Sequence, residues 1–167
     1  MKGNRSFDTS HRALRGTDWL LVATLLMVCG SAFGASSSDD GAWLTDLSTA
    51  QGRAKAEHKL VLMDFTGSDW CHPCMDLHKN VLTSPEFVAY AKTNLVLVEV
   101  DFPQKKTQTE ELKKSNEQLS QKFEVQGFPT VILLDPDGKQ LSKSVGYGGE
   151  TPKQFIAKLE KARKKNS

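Results

Sequence analysis

The chain has 167 residues, 38% of them hydrophobic and 25% charged, and these proportions fit one ordinary globular domain with an additional segment. Its formal net charge is +2, and because residues 35–167 carry 18 basic and 18 acidic side chains, the excess lies in the first 34 residues. A neutral domain of this kind gives no indication of a nucleic-acid partner.

Residues 1–34 have the pattern of a secretory signal peptide. An apolar run extends from Trp19 to Phe33, and small and polar residues follow it. The run is preceded by four basic residues, Lys2, Arg5, Arg12 and Arg15. It is short for a membrane span, which needs roughly 20 apolar residues. We therefore expect residues 1–34 to be a signal peptide or an N-terminal membrane anchor, residues 35–41 to be a polar linker, and the product to be exported, either periplasmic or secreted.

The cysteines agree with export. Cys29 belongs to the apolar leader, so the exported part holds two cysteines, Cys71 and Cys74. A pair with no thiol left over fits an oxidising compartment.

The remaining pattern predicts one domain over residues 42–165. In chain order it predicts a helix at 45–58, a strand at 59–65, a helix continuing from the cysteines, a short helix from 84, a strand at 94–102, a helix at 108–123, strands at 129–134 and 139–145 around a turn, and a helix at 152–164. Strands separated by helices favour parallel pairing with helices on both faces, and the closing hairpin makes the sheet mixed. The predicted class is therefore α/β with a central mixed sheet.

Residues 71–74, with the sequence CHPC, allow several kinds of site. A structural disulfide would close a loop of only four residues and stabilise the fold by roughly 2 kcal/mol on the chain-entropy model, less than a longer loop provides. A zinc site would use Cys71, Cys74 and His78, which share a helix face, but a structural zinc needs a fourth ligand. Covalent haem attachment needs histidine directly after the second cysteine, where this chain has Met75.

A redox-active dithiol uses more of the surrounding sequence. A strand ending near Phe65 leads to a helix that begins at the cysteines, so Cys71 lies at a helix N-terminus, where free N–H groups favour a thiolate. Cys71 would then be the nucleophile of thiol–disulfide exchange, and Cys74, one turn further on, the resolving thiol. Pro73 costs no hydrogen bond in a first turn. This chemistry requires no metal and no cofactor.

Three stretches, "FTGSDWCHPC", "GFPT" and "VGYGG", together resemble the exported proteins of the thioredoxin superfamily over roughly residues 42–161. The stretch "DWC" followed by "VLTSPEFVAYA" is also similar to the thioredoxin-like domain of periplasmic electron-transfer reductases. The resemblance implies a thioredoxin-like fold and a thiol–disulfide oxidoreductase that reduces or isomerises protein disulfides. It also implies protein thiols and disulfides as partners, with a membrane electron donor as a further candidate.

The resemblance implies roles for particular residues. Asp64 would be the buried carboxylate that helps to move the proton of Cys74. Pro129 would follow a cis peptide bond and place the backbone of Phe128 for pairing with an extended substrate. The same substrate surface would include Thr130 and Gly146.

Three residues around the cysteines are expected to tune the redox couple. Trp70 precedes the motif, Pro73 stands where thioredoxins have proline, and His72 replaces their glycine. A protonated imidazole beside the nucleophile stabilises its thiolate and makes the couple more oxidising. We therefore expect a potential between about −270 mV, the value of thioredoxin, and about −120 mV, the value of DsbA.

The sequence departs from the thioredoxin pattern at three places. The segment between Asp64 and Cys71 has one residue more than the commonest thioredoxin loop, and Glu99 stands where thioredoxins typically have a lysine. The polar insertion at 103–118 is also longer. A binding or chaperone-like module of thioredoxin fold with an incidental dithiol is the alternative from another functional class.

Overall fold

The computed structural model describes residues 42–166, and the structural statements below concern that range. Its elements are α1 (Leu47–Glu57), β1 (Leu60–Thr66), α2 (His72–Leu77), a π-helical turn (His78–Leu82), α3 (Pro85–Asn94), β2 (Leu95–Asp101), α4 (Glu110–Lys122), β3 (Thr130–Leu134), β4 (Gln140–Val145) and α5 (Pro152–Lys165). The expected leader and the expected linker lie outside the described residues. Within residues 42–166, no helix combines the length and the apolar character needed to cross a membrane.

The four strands form one mixed sheet in the order β2-β1-β3-β4. β1 and β2 run parallel, while β3 is antiparallel to both β1 and β4. The α/β class, the mixed sheet and the closing hairpin are therefore confirmed. The expected parallel direction of β3, the strand that follows α4, is wrong. The reason lies in where the strand begins, since Thr130 pairs with Phe65 at the carboxyl end of β1 and the chain must then run back along β1.

Both faces of the sheet are covered, which explains the nearly continuous apolar runs of β1 and β2. Val61, Met63 and Phe65 point to one face, where they pack with residues of α1 and with Phe123 after α4. Leu62 points to the other face and packs with α2, the π-helical turn, α3 and α5. The cysteines follow the end of the sheet at which β1 and β2 finish and β3 starts.

Side-chain caps determine where two of the helices begin. The hydroxyl of Ser84 accepts from the backbone N–H of Phe87, and a proline follows it in α3. Thr151 and Gln154 form the predicted capping box at the start of α5. These helices pack on the same face of the sheet as α2.

Replacing Phe87 with alanine tests this packing. The side chain of Phe87 is fully buried, and its ring meets the ring of Phe155 edge-on at 5.9 Å between centroids. We expect Phe87→Ala to lower the free energy of unfolding by about 3–5 kcal/mol, because it leaves a cavity. The neighbouring Val88 is exposed, so Val88→Ala should change it by less than about 0.5 kcal/mol. Urea unfolding of both variants measures this, and equal effects would contradict the described packing.

Candidate active site

The two cysteines lie at the start of α2 and are joined by a disulfide bond, with their Cα atoms 5.3 Å apart. Cys71 is the N-cap of the helix in an extended conformation, and its carbonyl accepts from the N–H groups of Cys74 and Met75. Cys74 lies one turn inside the helix and is buried. The predicted placement of the motif at the beginning of a helix is thus confirmed.

The two residues between the cysteines differ in their surroundings. Pro73 occupies the first turn of α2, where it interrupts no hydrogen bond. The side chain of His72 is 85% exposed and lies 3.9 Å from the carboxylate of Asp76. Water surrounds such an imidazole and weakens its interaction with a neighbouring thiolate.

Trp70 is held by contacts with two neighbouring backbone segments. Its indole N–H donates to the carbonyl oxygen of Phe102 at 2.7 Å, directly after β2. Its ring lies so close to Gly67 that a Cβ atom there would come within 2.5 Å of it. The carbonyl oxygen of Gly67 also accepts from the backbone N–H of Cys71 at 2.9 Å. Sequence reasoning missed Gly67 and Phe102, because no local pattern indicates which backbone an indole will contact.

Aromatic rings join two loops. One is the loop of residues 67–71 between β1 and α2, called the cysteine loop, and the other is the loop of residues 123–129 before β3, called the cis proline loop. The Phe128–Pro129 peptide bond is cis, as the resemblance implies. The ring of Phe128 lies edge-on to that of Trp70, with centroids 5.8 Å apart, and 5.2 Å from that of Phe102. The structure therefore brings Trp70 and the cis proline loop together.

Thr130 and Gly146 support this loop. The hydroxyl of Thr130 donates to the carbonyl oxygen of Gly127 at 2.7 Å, and the N–H of Gly146 donates to the carbonyl oxygen of Pro129 at 2.8 Å. Gly146 has a φ of +80°, a region that favours glycine. Both residues hold the loop in place through its backbone.

Asp64 is a buried carboxyl group in β1. Only 4% of the residue is exposed, and its Oδ1 has no hydrogen-bond partner among the described residues. It shares a face of β1 with Leu62, which packs in the same cluster as Leu77 of α2. Burial, together with the charges of Glu99 and Asp101, raises the pKa of Asp64 from 3.8 to about 7. A carboxyl group of this kind can exchange a proton near neutral pH.

The first part of the insertion is bound to the cysteine loop by a second carboxylate. Asp69 accepts three backbone N–H groups, from Gln104 at 2.9 Å, Lys105 at 2.7 Å and Lys106 at 2.9 Å. These hydrogen bonds keep the pKa of Asp69 below its usual value, the one from Gln104 having the largest effect. The ammonium group of Lys106 also donates to the hydroxyl of Ser68 at 2.9 Å. Residues 103–107, called the wall below, are therefore held against Ser68 and Asp69, just before the cysteines in the chain.

Sequence reasoning found neither Asp69 nor its partner segment. The hydrogen-bonded residues lie 35 to 37 positions apart in the chain. The expected helix in this region begins at Glu110, after the wall. The metal alternative has no support in residues 42–166, where no group of three or more His, Cys, Asp and Glu residues is arranged to hold a metal ion.

Comparison with known proteins agrees with this arrangement. The family model of the thioredoxin-like domain matches residues 47–163. The disulfide bond reductase DsbH of Chlamydia pneumoniae is 39% identical over 111 residues, which are 66% of this chain and 66% of that protein. The thioredoxin-related protein DsbJ of the same organism is 34% identical over 114 residues, 68% of this chain and 33% of that protein. This chain thus spans just under two thirds of the length of DsbH and about one third of the length of DsbJ.

A solved structure agrees as well. The structure of a DsbH oxidoreductase superimposes with a TM-score of 0.69 at 32% identity, covering 93% of this chain and 95% of that chain.

The raised pKa of Asp64 makes stability depend on pH. Between pH 4 and pH 7 the unfolded chain loses this proton while the folded protein keeps it, so stability falls as pH rises, by up to about 4 kcal/mol in total. Asp64→Asn removes this loss. We expect the variant to gain stability relative to the wild type by roughly 2–4 kcal/mol between pH 4 and pH 8.

Urea unfolding of the oxidised protein across this range measures the difference. Glu57→Gln is the control, because hydrogen bonds with Lys59 and Arg53 lower the pKa of Glu57 and its removal should act in the opposite direction. Parallel pH profiles for Asp64→Asn and the wild type would contradict the assignment.

Asp69→Ala should release the wall formed by residues 103–107. The amide hydrogens of residues 104, 105 and 106 would lose their acceptor and exchange several-fold faster with solvent, while those of β1 would be unchanged. Hydrogen exchange measured by NMR tests this. Asp76→Ala removes another carboxylate near the motif and serves as the control. Unchanged exchange at all three positions would show that Asp69 does not order the wall.

Proposed function

Because the chain belongs to the thioredoxin-like domain family, we propose that it is a thiol–disulfide oxidoreductase that reduces or isomerises protein disulfides outside the cytoplasm. The observation that carries the proposal is the bonded Cys71–Cys74 pair at the start of α2. The same chemistry is supported by the relative named disulfide bond reductase DsbH and by the solved structure named DsbH oxidoreductase.

The reaction begins with the reduced protein. The Cys71 thiolate attacks one sulfur of a substrate disulfide, forms a mixed disulfide and releases the other substrate sulfur as a thiolate. The N-cap position supports this role, because the positive end of the helix dipole favours a negative charge there.

Cys74 completes the exchange. Its thiol gives a proton to the carboxylate of Asp64, and its sulfur attacks Cys71, so that the Cys71–Cys74 bond forms and the second substrate sulfur leaves as a thiolate. Two electrons have then passed from the protein to the substrate. The position of Asp64 on the face that α2 covers, and its pKa of about 7, support this role.

Substrate binding is assigned to the surface around the cis proline loop. An extended segment would pair with the backbone at Phe128, next to Thr130 and Gly146. Trp70 and Val145 support this assignment, because they are large apolar side chains that are 40% and 61% exposed near the same loop.

Export and the electron supply complete the proposal. The leader pattern of residues 1–34 and the single remaining cysteine pair support a periplasmic or secreted protein. A reductase that finishes each cycle as a disulfide needs a donor dithiol to return two electrons. A membrane electron donor is the partner that we propose for this step.

Single serine variants of the two cysteines test the function. Cys71→Ser should abolish reduction of a protein disulfide such as that of insulin, since it removes the nucleophile. Cys74→Ser should accumulate a mixed disulfide with substrate that a reducing agent releases, because the second attack is lost. Lys92→Ala, at an exposed position of α3, is the control and should react as the wild type does.

Two results would contradict the proposal. Exchange that persists in Cys71→Ser would exclude Cys71 as the nucleophile. A wild-type protein without exchange activity, whose Cys71→Ser/Cys74→Ser double variant still binds partner proteins, would identify a binding module instead.

A further inference from the structure

Glu99 lies opposite Asp64 in the parallel register of β1 and β2. Side chains at paired positions of neighbouring parallel strands point to the same face, and the two strands lie about 4.8 Å apart. The two carboxyl groups can therefore share a proton directly or through one water molecule. Asp64 is buried, whereas Glu99 is partly exposed.

Asp101 is a third carboxylate near Asp64 and Glu99, and both of its oxygens accept hydrogen bonds from Ser68. Asp101 accepts the backbone N–H of Ser68 at 2.9 Å through Oδ1 and the hydroxyl of Ser68 at 2.6 Å through Oδ2. Asp101 therefore holds the cysteine loop, and its negative charge raises the pKa of both Asp64 and Glu99. The pair that remains for proton exchange consists of Asp64 and Glu99.

The charged groups around Glu99 come from three elements besides β1. Burial has the largest effect and raises the pKa of Glu99, and Asp101 on β2 raises it further. His78 in the π-helical turn and Lys106 in the wall lower it. The negative charge of Glu99 in turn raises the pKa of Asp64.

Glu99 also lines a cavity of about 250 Å³ that Asp64 does not line. Asp101, Lys106, Gln108 and Asn116 also line this cavity. Asn116 is 1% exposed, and its Oδ1 has no hydrogen-bond partner among the described residues. A polar cavity of this size has room for water. Glu99 is thus the member of the pair that has access to a polar cavity.

We propose that Glu99 is a positioning residue for the resolving step, which shares with Asp64 the proton that Asp64 takes from the Cys74 thiol. The proton moves from the Cys74 sulfur to Asp64, is divided between the two carboxyl groups, and leaves by way of Glu99 to water in the cavity. In the same step the sulfur electrons of Cys74 form the bond to Cys71, the bond between Cys71 and the substrate sulfur breaks, and the substrate sulfur leaves as a thiolate. This inference rests on the proposed function and assigns a role to the glutamate that stands in place of the thioredoxin lysine.

Titration of the carboxyl groups tests the shared proton without any need for activity. In the oxidised wild-type protein, 13C NMR should show Asp64 and Glu99 titrating as a coupled pair, each signal responding to both steps. In Glu99→Gln, Asp64 should titrate in a single step at lower pH, and Glu99→Asp should restore the coupled behaviour. Glu150→Gln removes a partly buried carboxylate whose pKa is set by Lys158 rather than by Asp64, so Asp64 should titrate as in the wild type. A single step at an unchanged pH in Glu99→Gln would overturn the proposal.

The pH dependence of the resolving step tests whether the reaction uses the pair. The reduced protein is mixed with an aromatic disulfide, and the rate at which Cys74 resolves the resulting mixed disulfide is measured as a function of pH. The pH profile of this rate should show an inflection that moves to lower pH in Glu99→Gln, by the same shift as the NMR titration. An inflection that stays in place while the titration moves would overturn the role in the resolving step. A wild-type protein with no exchange at any pH would instead contradict the proposed function, while the NMR titration would still report on the shared proton.

Discussion

The contact between the indole of Trp70 and the backbone of Gly67 is the constraint on which the rest of the site depends. A Cβ atom at Gly67 would lie 2.5 Å from the ring, so any other residue at this position would force the indole out of its contacts. The same ring contacts Phe128 and donates to the carbonyl oxygen of Phe102. One side chain thus joins the cysteine loop, the cis proline loop and the end of β2, and the loop then delivers Cys71 to the start of α2.

Polar groups beneath and beside this contact serve different purposes. Asp69 and Asp101 each have several hydrogen-bond donors, and their charges order the wall and the cysteine loop. Within residues 42–166 one carboxyl oxygen of Asp64 has no hydrogen-bond partner, and the burial of Asp64 costs stability above neutral pH. Buried groups with shifted pKa values are concentrated at functional sites, which supports the proton-transfer role proposed for Asp64.

The sequence predicted the features that depend on neighbouring residues. The capping box at Thr151, the helix after Cys71 and the apolar strands all follow from local patterns, and the structure agrees with them. The direction of β3 did not follow, because a helix between two strands usually indicates a parallel pair, and here the chain returns to the end of β1 where it started. Burial of Asp64 was also undetermined, since both faces of β1 are covered and alternation gives no solvent side. The contacts of Asp69 link positions too distant in the chain for any local pattern.

The reduction potential of residues 35–167, equilibrated against a series of glutathione redox buffers, tests the central claim most directly. The exposed position of His72 favours a value near the thioredoxin end of the range, because water weakens the effect of its imidazole on the Cys71 thiolate. A reductase that requires an electron donor predicts a potential of about −250 to −200 mV. A potential of about −120 mV, the value of DsbA, would contradict the proposed reductase or isomerase and would identify a protein that donates disulfides.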